Sequence, residues 1–209
     1  MIQTLIRIIF AKRIGKRQLP VFDAGKPMRR PYVSPMRKRS FGDLKRIMAY
    51  SPIYEGLSMN ENEKQETIVV LNKILELELA GVVRYTHYAL MVFGYNRIPI
   101  VSWLQSNGDE SLMHARKAGE FVTMLGGHPS LKIGPLLETH QHDIGDILRE
   151  SLEQESTTLA AYYELMQHTE GKSVALEEYA REMILAEELH LDEVNKMLRK
   201  PGDLRPFAE

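Results

Sequence analysis

Six ionisable side chains stand where helical periodicity in this chain calls for apolar ones: Glu78, Glu110, His114, Glu155, Glu187 and His190. Carboxylates and imidazoles in one apolar setting are the donor set of a site for divalent transition metals. The chain has no cysteine, which removes disulfides, thiolate zinc, iron–sulfur clusters and cysteine nucleophiles together. Any metal must therefore sit on oxygen and nitrogen. No nucleophile elbow and no glycine-rich phosphate loop offers a competing chemistry.

Taken singly, each residue has an ordinary explanation. A lone Glu on a helical stripe is more often at a wet edge or paired with a cation, and a lone His is more often a hydrogen-bonded core residue. The set is harder to dismiss. Burying a carboxylate without a partner costs several kcal/mol or neutralises it, and none of the four stripes carries a Lys or Arg. Protonation, water or metal remain. Four Glu balance two divalent cations, and two neutral imidazoles complete a neutral cluster. The pieces also repeat: Glu78 to Glu155 is an offset of 77, His114 to His190 of 76 and Glu110 to Glu187 of 77. Helix-with-Glu then helix-with-Glu-and-His, twice over, is the ligand plan of carboxylate-bridged two-metal bundles.

Four elements must bring these residues together. The spacing predicts helices at 62–95, 98–126, 138–170 and 173–199, with breaks at Gly94-Tyr95-Asn96-Arg97, Gly126-Gly127-His128-Pro129-Ser130, Gly171 and Pro201-Gly202. Alternating four- and three-residue steps give the stripes. The first is Leu71, Leu75, Glu78, Val82, Tyr85, Ala89, Val92. The second is Ile100, Leu104, Asn107, Ser111, His114, Ala118, Phe121, Leu125. The third is Leu148, Leu152, Glu155, Leu159, Tyr162, Met166, Thr169, and the fourth Leu176, Ala180, Met183, Glu187, His190, Val194, Met197. Glu110 precedes His114 by one turn and lies about 40° off it around the helix.

The net charge of −1 hides two unlike regions. Residues 1–58 carry 13 Lys/Arg against Asp23, Asp43 and Glu55, whereas residues 59–209 carry 14 against 25 Asp/Glu. The first region reads as a basic, mostly disordered extension, and Met59 stands where a compact domain would begin. Residues 59–200 read as the bundle and 201–209 as a short tail. Met1 to Arg17 mixes apolar and basic residues, so membrane-surface contact ranks as a lesser option, and a nucleic-acid role has only charge to support it. No apolar run approaches the roughly 20 residues of a membrane span. No secretory cleavage pattern is present, and the expected setting is the cytoplasm.

At this density of motifs the chain resembles a bacterioferritin. The resemblance covers residues 65–199. It rests on Leu71-Asn72-Lys73-Ile74-Leu75-Glu76-Leu77-Glu78-Leu79 with Tyr85, on His114-Ala115 leading to Leu125-Gly126-Gly127-His128-Pro129, on Ile147 to Glu155, and on Glu187-Glu188-Leu189-His190. It implies an all-α, antiparallel ferritin-like four-helix bundle with one long crossover between the second and third helices. It further implies two iron ions per chain, oxidation of Fe(II) by O2 or H2O2 for iron storage and detoxification, and a homo-oligomer of at least two chains, up to a cage. Glu78 and Glu155 would be terminal ligands, Glu187 and a second-helix carboxylate the bridges, and His114 and His190 would each hold one metal. Tyr85 resembles a tyrosine that helps deliver electrons, and serves equally well as a seam aromatic with a satisfied hydroxyl.

Three departures limit the resemblance. The family's second-helix motif is Glu-x-x-His, but Ser111 stands three residues before His114 and Glu110 is one residue early. Either Glu110 reaches the metals from the adjacent angle or a π-bulge realigns it. The haem-ligand slot falls on Ser111 or Leu112, with Met113 out of register, so haem is not implied. The family's short fifth helix has no match after Pro201-Gly202, so a complete shell is not implied either. Manganese fits the donor set nearly as well as iron. The rival readings are a non-storage redox enzyme (manganese catalase-like, peroxidase-like or an oxygenase) and a structural bundle with a degenerate site. His87 is expected to face away from the site. His140 and His142 are read as a solvated helix start ahead of a secondary metal site, and His128 as a turn residue.

Overall fold

The computed structural model describes residues 58–137 and 139–207. All but the last residue of the basic extension therefore lies outside the described residues. Four helices make up the rest: α1 Glu61–Met91, α2 Arg97–Met124, α3 Ile144–Thr169 and α4 Val174–Leu198. No strand occurs among the described residues. They form an antiparallel bundle in which α1 packs on α2, α3 on α4, and α1 on α3.

Local chemistry sets each boundary. Asn60 and Glu63 form a reciprocal capping box at the start of α1. At its end the Arg97 guanidinium donates to the carbonyls of Ala89 and Val92, satisfying acceptors the helix leaves open. Gly126, with φ +82, turns the chain out of α2 while Gly127 N–H bonds Val122 O at 2.9 Å. The expected helix at 138–170 begins later, at Ile144, because Asp143 caps it through Gly145 N–H. Leu137 and His140 just before it adopt left-handed backbone that no helix can continue.

The crossover from Leu125 to Asp143 is pinned along α1. Asn72 donates to His128 O and accepts from Ser130 N–H, and Gly134 N–H bonds Glu76 O at 2.8 Å. A Cβ on Gly134 would lie 3.1 Å from that carbonyl oxygen, so the close approach favours glycine. The far end is held by Thr139, whose backbone and hydroxyl both donate to Glu150.

Two apolar clusters fill the interior. One joins Leu71, Ile74, Ala118, Val122, Leu165, Leu176 and Met183, and the other joins Tyr85, Tyr88, Val92, Leu104 and Ile147. Between them, along all four helices, runs a layer of buried polar residues. Part of this layer is a network the stripes do not announce. Arg84, only 4% exposed, donates to Gln154 Oε1, Glu150 O and Tyr88 Oη, and its guanidinium lies 3.9 Å from the Glu150 carboxylate. Tyr88 donates to the same carboxylate, and Gln154 donates to Leu77 O.

Candidate metal centre

The other part of the buried layer holds the predicted donors. Glu78, His114, Glu155 and Glu187 are all at most 6% exposed. Their helices supply one each because α1 to α4 all pass the same level with a seam position inward. His114 Nδ1 lies 3.4 Å from Glu78 Oε1 and 3.3 Å from Glu187 Oε1. His190 Nδ1, one turn after Glu187, lies 3.8 Å from Glu155 Oε2.

The ligand atoms fall into two groups, Glu78–His114–Glu187 and Glu155–Glu187–His190, each within 4.8 Å. Glu187 belongs to both. Its Oε2 is buried and meets no hydrogen-bond partner within the protein, as expected of an atom meant for a cation. Two tyrosines orient the outer carboxylates. Tyr162 donates to Glu78 at 2.7 Å, and Tyr85 donates to Glu155. The Tyr85 ring also sits 6.2 Å from Trp103 and 6.4 Å from His190.

Glu110 stands apart from both groups. Its side chain is 48% exposed and its carboxylate lies 3.8 Å from His114 Nε2, on the outer side of that ring. The π-bulge that would have realigned it does not occur, since α2 is regular from Arg97 to Met124. Ser111 instead faces inward, so close to α1 that a Cβ on Gly81 would meet its Oγ at 2.8 Å. The two groups thus share one carboxylate rather than two. Three carboxylates facing two divalent cations would leave one positive charge, which would favour a small oxygen ligand from outside.

Burial governs the protonation of the metal-free centre. The Glu155 carboxyl is pushed up to about 8 by burial first and by the Glu187 charge second. Glu78 is raised by burial, against the opposing pull of His114. Burial alone would lower His114, but hydrogen bonds and charge from Glu187 and Glu78 outweigh it and carry the imidazole up to about 10. Tyr85 is held well above the usual tyrosine range by burial and by Glu155.

A raised value means that the bound proton stabilises the fold. The Glu155 contribution is full below its ordinary 4.5 and is lost as pH climbs through about 8. The His114 contribution is full below 6.5 and is lost through about 10. Metal-free protein is therefore expected to melt at a lower temperature near pH ~9 than near pH ~6. Metal displaces the protons, so its stabilising effect should grow over the same interval. Thermal melts with and without Mn(II) across that range test both slopes, and parallel profiles would speak against a shared metal and proton site.

The remaining sequence candidates lie elsewhere. His87 faces away from the centre, with its ring 5.7 Å from that of His142. His128 serves the crossover through its carbonyl. Asp109 is exposed. Among the described residues no further group of donors qualifies. The sequence reading missed Tyr162 as a partner of Glu78, although it sits on the third stripe. It also missed Asn107, a second-stripe amide that is 6% exposed and whose Nδ2 meets no acceptor within the protein.

Residues 68–202 match the model of the ferritin-like domain. No curated protein matches the chain in sequence. Among solved structures it is similar to a ferritin-like, diiron-carboxylate protein from Bacillus anthracis at 23% identity and TM-score 0.64, over 68% of this chain and 100% of that one. It is similar to the bacterioferritin of Desulfovibrio desulfuricans at 23% identity and TM-score 0.59, over 66% and 81%. It is also similar to a dodecameric thioferritin, the bacterioferritin-related protein of Bacteroides fragilis, at 21% identity and TM-score 0.60, over 70% and 89%. At these identities the likeness speaks for the fold.

Proposed function

The chain belongs to the ferritin-like domain family, and from that premise we propose that it is a bacterioferritin-like ferroxidase that oxidises Fe(II) for storage and detoxification. The observation that carries this reading is Glu187, which belongs to both groups of buried donors. Glu78 with His114 would hold one Fe(II) and Glu155 with His190 the other, with Glu187 within reach of both. Two Fe(II) give one electron each to hydrogen peroxide, which takes two protons and leaves as two waters; dioxygen is the other oxidant of the class.

The chain's own residues prepare this exchange. Tyr162 and Tyr85 hold Glu78 and Glu155 in place. The protons kept on His114 and Glu155 before metal entry leave to solvent as Fe(II) binds. In this reading Tyr85, with Trp103 beside it, supplies a further electron where dioxygen is the oxidant. Two solved neighbours are a bacterioferritin and a dodecameric relative of bacterioferritins, which supports a homo-oligomer in which ferric product accumulates. No described helix is long and apolar enough to cross a membrane.

Aerobic Fe(II) loading of the full chain, followed by size-exclusion chromatography and iron counting, tests the reading. Iron far above two per chain in a large assembly is the expected result. Iron stopping near two per chain on a small assembly would replace storage with a di-metal redox enzyme, and no retained iron would leave a degenerate bundle.

A further inference from the structure

An open cleft of about 610 Å³ runs between α2 and α4, with Asn107, Glu110, His190 and Glu193 among its walls. Asn107 is the unusual member. It sits one turn before Ser111 on the inward stripe of α2 and is only 6% exposed, and no protein group accepts from its Nδ2. A buried amide donor without an acceptor is a standing cost to the fold, and such groups call for a reason. Its neighbour in the cleft, His190, belongs to the Glu155–Glu187–His190 group.

We propose that Asn107 is a binding residue for the oxidant: its amide donates a hydrogen bond to hydrogen peroxide that enters between α2 and α4 and reaches the centre on the His190 side. The inference rests on the two-metal reading above and adds the ligand class and its contact. Three considerations select peroxide. Ser111 supplies no carboxylate, so the centre keeps room and charge for an outside oxygen ligand. The walls carry Glu110, Asp192 and Glu193 against the single cation Lys196, a balance that admits a neutral molecule more readily than an anion. Dioxygen is apolar and gains little from an amide N–H, whereas a peroxide oxygen accepts it fully.

Azide is the probe, a three-atom ligand with a hydrogen-bond-accepting end; the acidic walls weaken it in parent and variant alike, so the ratio of the two affinities isolates the amide. The full chain is loaded with Co(II), which does not turn over, and azide is titrated by visible absorption at fixed ionic strength. Asn107→Leu keeps the shape and removes the donor. It should retain Co(II) in full and bind azide at least ~10-fold more weakly, the loss of one hydrogen bond to a charged group. Metal-free Asn107→Leu should melt no lower than the parent chain, because no protein hydrogen bond is lost; Asn107→Ala serves where leucine is not accommodated. Full Co(II) with unchanged azide affinity overturns the inference alone and leaves Asn107 a solvent-bonded amide. Parent chain that retains no Co(II) overturns both this inference and the two-metal reading.

Discussion

Glu187→Ala is expected to strip both metals from the chain, lowering affinity at each site by at least ~100-fold and bringing Fe(II) oxidation to the uncatalysed rate. The size of the effect follows from position. Glu78→Ala and Glu155→Ala each remove a donor from one group, whereas Glu187 serves both. Its loss also leaves His114 without one of the two carboxylates that hold its Nδ1. Calorimetric Mn(II) titration separates the cases: Glu78→Ala should keep one site, and Glu187→Ala none. A Glu187→Ala protein that keeps one tight site would mean that the groups do not share a ligand. Because Glu187 is buried and its metal-free surroundings are protonated, the variant should still fold, which circular dichroism checks.

Arg84→Ala is expected to cost about 3–5 kcal/mol of stability, the range for stripping one partner from a buried ion pair. For a domain of this size that lowers the melting temperature by roughly 10 °C or more. The guanidinium is the hub for Gln154, Tyr88 and the Glu150 carbonyl, and without it the Glu150 carboxylate keeps only hydroxyl and backbone donors. Adding Glu150→Gln removes the stranded charge and should recover about half of the loss. Urea denaturation of the single and double variants measures this, and a second substitution that merely adds to the first would show that the charge was never stranded. Metal stoichiometry should not change, since neither residue belongs to the donor groups.

The contrast between these two sites shows what the sequence made legible. Glu78, His114, Glu155, Glu187 and His190 were readable because each interrupts an apolar stripe at the stripe's own period, and a buried charge is costly enough to demand an explanation. The helices followed from the same period, with ends within a few residues except where Asp143 and two left-handed residues delayed α3. Arg84 was invisible for the opposite reason. It stands beside the first stripe, where a long cationic side chain ordinarily reaches solvent, and only the packing of α3 and the crossover turns it inward. Tyr88 is one turn away, but Gln154 and Glu150 lie 70 and 66 positions away, beyond any local pattern. Glu110 fell between the cases. An angular offset of one residue decides whether a carboxylate meets the centre or its rim, and periodicity alone does not resolve it.

The crossover from Leu125 to Asp143 bears on the order in which the molecule assembles. The α1–α2 and α3–α4 hairpins each close through a few loop residues, so their contacts form early and locally. Bringing the hairpins together closes a much longer loop, and that step carries the larger entropic charge. The donors straddle it, with Glu78 and His114 on one hairpin and Glu155, Glu187 and His190 on the other. Neither hairpin holds a complete pair of sites. A metal held by Glu78 and His114 on one hairpin and Glu187 on the other would act as a clasp between the two halves, so refolding with Mn(II) present should dock them faster than refolding without it.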